Sequence, residues 1–237
     1  LWAADNSSVL WESLHKEESS TAAYPSDWSS DTDSSTKLQS VTDIDGNVYR
    51  TVVIGTQNWM AENLKVTKYR NGDNITNITG SSGWSSDTSG AYGVYDDDAS
   101  NLDSYGLLYN WYAVDNSSGI CPEGWHVPTS DEYGALSTYL GGNSVAGGKL
   151  KETGTDHWNS QNTGATNSSG FFARGSGFKQ YINGNYDLET QYFYAWSSTE
   201  NANGLYGYNG RLSSSSTALL VSYTYKNYGF SVRCLED

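Results

Sequence analysis

From residue 41 onward the chain sets short apolar runs between polar turns, at the spacing of strands rather than long helices. Residues 41–49, with Asp45-Gly46 in the middle, predict a strand, a tight turn and a second strand. Residues 50–54 extend that second strand, and a turn follows over 55–58. Residues 59–64 read as a strand end running into a turn. Residues 71–98, rich in Gly, Ser, Asn and Asp, predict long loops pinned by Trp84, Tyr92 and Tyr95. The apolar aromatic block 107–114 has the length of either a buried helical turn or a core strand. Thr129, with Glu132 three residues on, predicts a capping box and a helix to about Leu140, stopped by Gly141-Gly142. A second short helical or turn segment is expected over 145–151, and a loop over 159–170. Strands are expected around Asn183-Gly184. The last strand alternates Phe230, Val232 and Cys234 inward.

The first forty residues have a different texture. Leu1, Ala4, Val9, Leu10 and Leu14 fall near helical spacing and predict a helix over 1–18. Residues 19–40 are an acidic Ser/Thr-rich linker, and 41–237 the main domain. The helix either packs on that domain or is the stub of a longer one. In the second case the start Leu1-Trp2-Ala3-Ala4-Asp5-Asn6, with Tyr24-Pro25 after it, resembles the post-helix region of type IV pilins. That resemblance implies the exposed head of a structural subunit, self-assembling into a surface filament through its N-terminal helix.

Charge narrows the function classes. The formal net charge of −14 argues against nucleic acid and anionic membrane surfaces, because both require clustered Lys and Arg. The chain begins at Leu1 with no signal peptide in view, so a mature or truncated form is expected. Low apolar content with abundant Ser, Thr, Asn, Gly and Tyr is typical of exported bacterial proteins, so an extracellular or cell-surface location is expected. There are two cysteines, Cys121 and Cys234. Their separation rules out a CxxC motif. In an exported protein they are expected to form one disulfide, the alternative being two buried free thiols.

Six blocks occur in order: Asp43-Ile44-Asp45-Gly46-Asn47-Val48-Tyr49, Trp59-Met60-Ala61-Glu62-Asn63-Leu64, Gly106-Leu107-Leu108-Tyr109-Asn110-Trp111-Tyr112-Ala113, Gly124-Trp125-His126-Val127-Pro128-Thr129, Gly147-Gly148-Lys149-Leu150-Lys151 and Gly229-Phe230-Ser231-Val232-Arg233-Cys234. Together they resemble the Fibrobacter succinogenes major paralogous domain over about residues 41–237. That family is similar to C-type lectin-like and formylglycine-generating domains. The resemblance implies an α+β, C-type lectin-like fold with two short helices, a small twisted antiparallel sheet, long irregular loops and paired N- and C-terminal strands. Some lectin-like relatives are variable proteins of diversity-generating retroelements, which randomise adenines, chiefly in Asn codons. Residues 201–225 contain no Lys, Glu, Gln, Met or Trp, as that process implies. A Ser/Tyr/Gly surface strand has the same composition without it.

Catalytic signals are poor. His126 lies in an apolar block and reads as a satisfied core or turn histidine, and His157 beside Asp156 makes at best half a site. The cysteine pair near the C-terminus that formylglycine-generating relatives use is absent, so no enzyme activity is expected. Asp96, Asp97, Asp98, Asn101 and Asp103 offer hard oxygen ligands at loop spacing, which suits Ca2+; the other reading is a solvated acidic loop. The stronger signal is for binding. Asn203, Tyr206, Tyr208, Asn209, Arg211, Tyr223, Tyr225 and Tyr228 combine rigid amphipathic rings with adaptable hydrogen bonding, the composition of a paratope. They predict a ligand-binding surface over 201–228 for a protein or carbohydrate.

Overall fold

In the first hairpin, the Asp43 carboxylate accepts hydrogen bonds from the amides of Asp45 and Asn47, at 3.0 and 2.9 Å, and from the Tyr49 hydroxyl at 2.6 Å. Gly46 takes the left-handed conformation that closes the turn, with φ 87°. The structure, a computed structural model, describes residues 39–237. The expected helix over 1–18, nearly all of the linker over 19–40, and with them the pilin-like stub and its filament contacts, lie outside the described residues.

The hairpin joins β1 (Ser40–Thr42) to β2 (Val48–Ile54), and β3 (Gln57–Met60) folds back on β2. Next come β4 (Thr76–Asn77), β5 (Ala91–Val94), the one-turn helix α1 (Leu102–Tyr105) and β6 (Leu107–Tyr109). A second one-turn helix, α2 (Trp111–Val114), precedes β7 (Trp125–His126), α3 (Ser130–Tyr139) and α4 (Asn143–Leu150). The strands β8 (Ser176–Lys179), β9 (Tyr186–Glu189), β10 (Tyr192–Glu200), β11 (Tyr206–Ser213), β12 (Leu220–Tyr225) and β13 (Leu235–Glu236) complete the order.

The class is mixed α/β with few, short helices. The expected single sheet is replaced by four small ones among the described residues. They run β1-β2-β3-β13-β7, β10-β11-β12, β4-β5-β6 and β8-β9, antiparallel except for the β4–β5 pair. Among the described residues no strand exceeds nine residues, so each sheet covers only part of the core. The C-terminal strand pairs with the N-terminal hairpin, Leu235 opposite Trp59. The block 107–114 is both of the alternatives it offered: strand β6, then helix α2. Asn110 makes the switch, its side-chain oxygen accepting from the amides of Ala91 at 3.0 Å and Ala113 at 3.1 Å. Helix α3 has the full capping box between Thr129 and Glu132.

Phe230, Val232 and Cys234 are all buried, but so are Ser231 and Arg233 between them; the expected alternation is corrected, because the segment is enclosed on both sides and the last strand is only Leu235–Glu236. Phe230, Val232 and Cys234 join a core cluster with Tyr49, Tyr109, Trp111 and Trp196. A second cluster, with Trp59, Tyr133, Trp158, Phe171 and Leu212, lies beneath α3, α4 and the β10–β12 sheet. The Cys121–Cys234 disulfide is formed, with Cα atoms 5.9 Å apart.

Three cations are also fully buried. Arg233 donates to the Asn63 side chain at 2.6 Å and to the carbonyls of Met60 and Phe172, and it stacks on Phe171. Lys151 donates to the carbonyls of Thr163, Ser213 and Ser216, each at 2.9 Å. Lys179 donates to the Ile78 carbonyl and the Tyr186 hydroxyl, each at 2.8 Å. Burial pushes the pKa of both lysines down to about 8.

Candidate binding surface

The expected surface is built mainly by β11 and β12, and their register decides what it presents. Tyr206 pairs with Tyr225 and Tyr208 with Tyr223, so these four rings share one face of the sheet. Asn209 pairs with Ser222 and Arg211 with Leu220, which puts Asn209 and Arg211 on the opposite face. Tyr206, Tyr208, Tyr223 and Tyr225 are therefore separated from Asn209 and Arg211. Asn203 belongs to neither face. It sits in the loop before β11, where its side chain accepts from the Leu205 amide at 3.0 Å.

On the first face the tyrosines form a continuous chain of ring contacts. Centroids are 5.5 Å apart for Tyr208–Tyr223, 5.6 Å for Tyr223–Tyr206 and 5.0 Å for Tyr206–Tyr225. Tyr225 then stacks on Tyr181 at 4.6 Å, and Tyr181 meets Tyr228 at 4.8 Å. Tyr223 and Tyr225 are 55% and 44% exposed. A hydrogen bond with Tyr225 holds the Tyr206 hydroxyl above its ordinary pKa. Tyr181 lies outside the stretch that the sequence marked. Its only signal was a tyrosine beside the Asn183-Gly184 turn.

On the second face a cleft of about 300 Å³ opens. Phe178, Leu188, Tyr194, Tyr228 and Phe230 form its walls and floor, with Tyr194 stacked on Phe230 at 4.6 Å, and Tyr223 of the first face also lines it. Asn209, Arg211, Ser222 and Thr224 supply its polar lining. The Arg211 guanidinium lies over the Tyr192 ring at 5.7 Å. Burial raises the pKa of the Tyr194 hydroxyl, and the charge of Arg211 offsets part of that rise.

The interior of the stretch is not open surface. Gly207, Asn209, Gly210, Leu212, Ser214 and Leu219 are buried. A Cβ on Gly207 would meet the Trp111 indole, and one on Gly210 would lie 3.0 Å from the Tyr133 ring. Variation across 201–225 is thus restricted to the outward positions.

The acidic loop does not assemble a cation site. The Asp97 carboxylate accepts from the Gly80 amide at 2.7 Å and the Tyr186 hydroxyl at 2.6 Å. Asp98 caps the Ser100 amide, Asn101 donates to the Tyr95 carbonyl, and Asp103 pairs with Lys65 at 3.3 Å. Asp96 and Asp97 take left-handed backbone conformations within this loop. Among the described residues no group of three or more His, Cys, Asp or Glu side chains converges as a metal site. The expectation of Ca2+ there is corrected: local turn and cross-loop hydrogen bonds divert the oxygens.

Neither of the two histidines among the described residues lies in apolar surroundings. His126 sits between Asp237 at 2.6 Å and Glu132 at 3.0 Å. His157 pairs with Glu152 at 2.7 Å, not with Asp156, and Arg174 shares that carboxylate at 3.0 Å.

These features define a mixed α/β domain closed by one disulfide, with a tyrosine face on one side of a three-stranded sheet and a cleft on the other. The sequence profile of the Fibrobacter succinogenes major domain matches residues 52–236, and the chain belongs to that family. No curated protein and no solved structure matches the chain.

Proposed function

We propose that this chain is an extracellular or cell-surface, non-catalytic recognition module that binds a protein or carbohydrate through the tyrosine face of β11 and β12. The observation that carries this reading is the unbroken chain of ring contacts from Tyr208 to Tyr228, with Tyr223 and Tyr225 half in solvent. Exposed aromatic area of this kind costs solubility and is retained where it meets a partner. Tyrosine suits such contacts, since it offers large area and a hydroxyl at low entropic cost. A variant of the C-type lectin-like fold is supported by the pairing of β13 with β3, by the helices α3 and α4 and by the long loops between short strands.

The retroelement reading also has a specific observation behind it. The exposed residues of 201–225 include Asn203, Leu205, Ser215, Leu220, Ser222, Tyr223 and Tyr225, while Gly207, Asn209, Gly210, Leu212, Ser214 and Leu219 are buried scaffold. Diversification of the outward set alone would leave the core intact.

The test is a panel of glycans and cell-surface proteins probed with the purified chain. A hit is expected to weaken by about tenfold or more in the Tyr206→Ala, Tyr223→Ala double variant, at unchanged melting temperature. Hits that survive both substitutions would overturn the assignment of this face.

A further inference from the structure

We propose that the cleft on the second face of the β10–β11–β12 sheet binds a carboxylate-bearing saccharide of the uronic-acid class, with Arg211 receiving the carboxylate. This rests on the binding-module reading; the cleft adjoins the tyrosine chain and shares Tyr223 and Tyr228 with it.

The case starts from charge. The protein carries 27 acidic against 13 basic residues, yet Arg211 is the sole charged side chain in 201–225. Arg50, Lys65, Lys68, Arg174 and Lys226 each pair with a carboxylate. Arg211 lines the cleft and forms no ion pair among the described residues. It is partly buried and held over the Tyr192 ring, so its fork is oriented before any ligand arrives. A guanidinium presented this way matches a planar carboxylate through two parallel hydrogen bonds.

The remaining lining selects among carboxylates. Tyr194 and Phe230 stack nearly parallel, 13° apart, and Tyr228 lies close to parallel with Phe230 at 22°. These rings cover one another and Phe230 is buried, so they form the cleft floor; Tyr223, exposed at the rim, is the ring that can take the apolar face of a pyranose. Ser222 and Thr224 supply two hydroxyls beside Arg211, which suits a ligand with several hydroxyls around one carboxylate. An acidic peptide would meet Arg211 but leave that polar row unmatched. The cleft volume, about 300 Å³, lies at the small end of ligand sites and suits a single sugar unit.

The experiment titrates the chain with methyl glucuronide, methyl glucoside and polyglutamate, by calorimetry and by amide chemical shifts. Methyl glucuronide is expected to bind and to shift the amides of Asn209, Arg211, Ser222 and Thr224. Methyl glucoside is expected to bind about tenfold more weakly or worse, and Arg211→Gln to lose a similar factor. Tyr206→Ala, which leaves the cleft lining intact, is expected to retain the glucuronide. Equal affinity for glucoside, polyglutamate binding as well as glucuronide, or no glucuronide binding at millimolar concentration would each overturn the proposal. So would indifference to Arg211→Gln. Should that variant fail to fold, the comparison of glucuronide with glucoside on the unaltered chain decides alone. Panel hits that depend on the tyrosines while glucuronide fails would remove this inference and leave the tyrosine-face reading standing.

Discussion

Gly207 is the position at which the idea of a rigid scaffold under a variable surface is most exposed to refutation. It lies in β11, inside the stretch whose composition suggests variation, yet it faces the core. In Gly207→Ala the new methyl carbon would lie 2.5 Å from Nε1 and 2.7 Å from Cγ of Trp111. Trp111 cannot move aside freely. It is 1% exposed, and its indole N–H donates to the Ser197 carbonyl at 2.9 Å. Overpacking a rigid core costs about 1–3 kcal/mol. Loss of the indole hydrogen bond adds about 1 kcal/mol. A total of about 2–4 kcal/mol corresponds to a fall in melting temperature of about 5–15 °C for a domain of this size. Calorimetry or thermal circular dichroism reads this directly. The control is Asn203→Ala, in the exposed loop of the same stretch, expected to stay within about 0.5 kcal/mol. An unchanged melting temperature for Gly207→Ala would show that β11 does not press on Trp111 and that the stretch lacks the scaffold described for it.

Three further outcomes are expected. Replacing both Cys121 and Cys234 by Ser removes a closure spanning 113 residues and should lower unfolding free energy by about 4–5 kcal/mol in the chain-entropy account, read as a lower denaturant midpoint; a midpoint equal to that of the oxidised protein refutes it. Arg233→Met strips the donors from the Met60 and Phe172 carbonyls and the Asn63 oxygen and should cost about 3–5 kcal/mol, against near-neutral Arg50→Met on the partly exposed first sheet. Stability should also rise from pH 8 to 10. Lys151 and Lys179 have folded pKa values of about 8 against an ordinary 10.5, so in that window the unfolded chain binds more protons. Above pH 10 the sign reverses, because burial raises Tyr95, Tyr105 and Tyr133 and the unfolded tyrosines release their protons first. Denaturation midpoints that fall steadily from pH 8 would contradict this assignment.

The elements legible in the sequence are those whose cause is local. Thr129 and Glu132 cap α3 through bonds spanning three residues, and the 43–49 hairpin is closed by a single carboxylate. The disulfide was legible because two cysteines allow one pairing. The tyrosine surface was legible as composition but not as geometry. Which ring faces which way depends on the register of β10 against β11, and that register shifts between Trp196 and Glu200. Alternation within β11 separates Tyr206 and Tyr208 from Asn209 and Arg211, but no pattern within 201–228 shows which side meets the core. Tyr181 joins the surface from another segment, so nothing near it in sequence marks it. The acidic loop misled for a related reason. Four carboxylates in eight residues suggest one cation, but Gly80 and Tyr186, both distant in sequence, recruit Asp97.

The buried cations explain how so polar a chain sustains a core. Its strands are short and its loops long, so many loop carbonyls lack a partner from regular pairing. Each would cost about 1–3 kcal/mol if buried unsatisfied. Lys151 answers three of them at once, two from the turn that joins β11 to β12 and one from the 159–170 loop. Lys179 fastens the Ile78 loop to β8. Arg233 ties the end of β3 to residues 171–172, four positions before the C-terminus. A lysine can do this only where its stem is packed, and Trp158 and Trp84 lie against the two ammonium groups at 5.5 and 4.7 Å. Loops are thus held from beneath by single side chains rather than by extended ladders. That arrangement leaves their outer surfaces, and the outward face of β11 and β12, with no structural task of their own. A recognition surface can then change residue by residue while the contacts that fix its backbone remain in the interior.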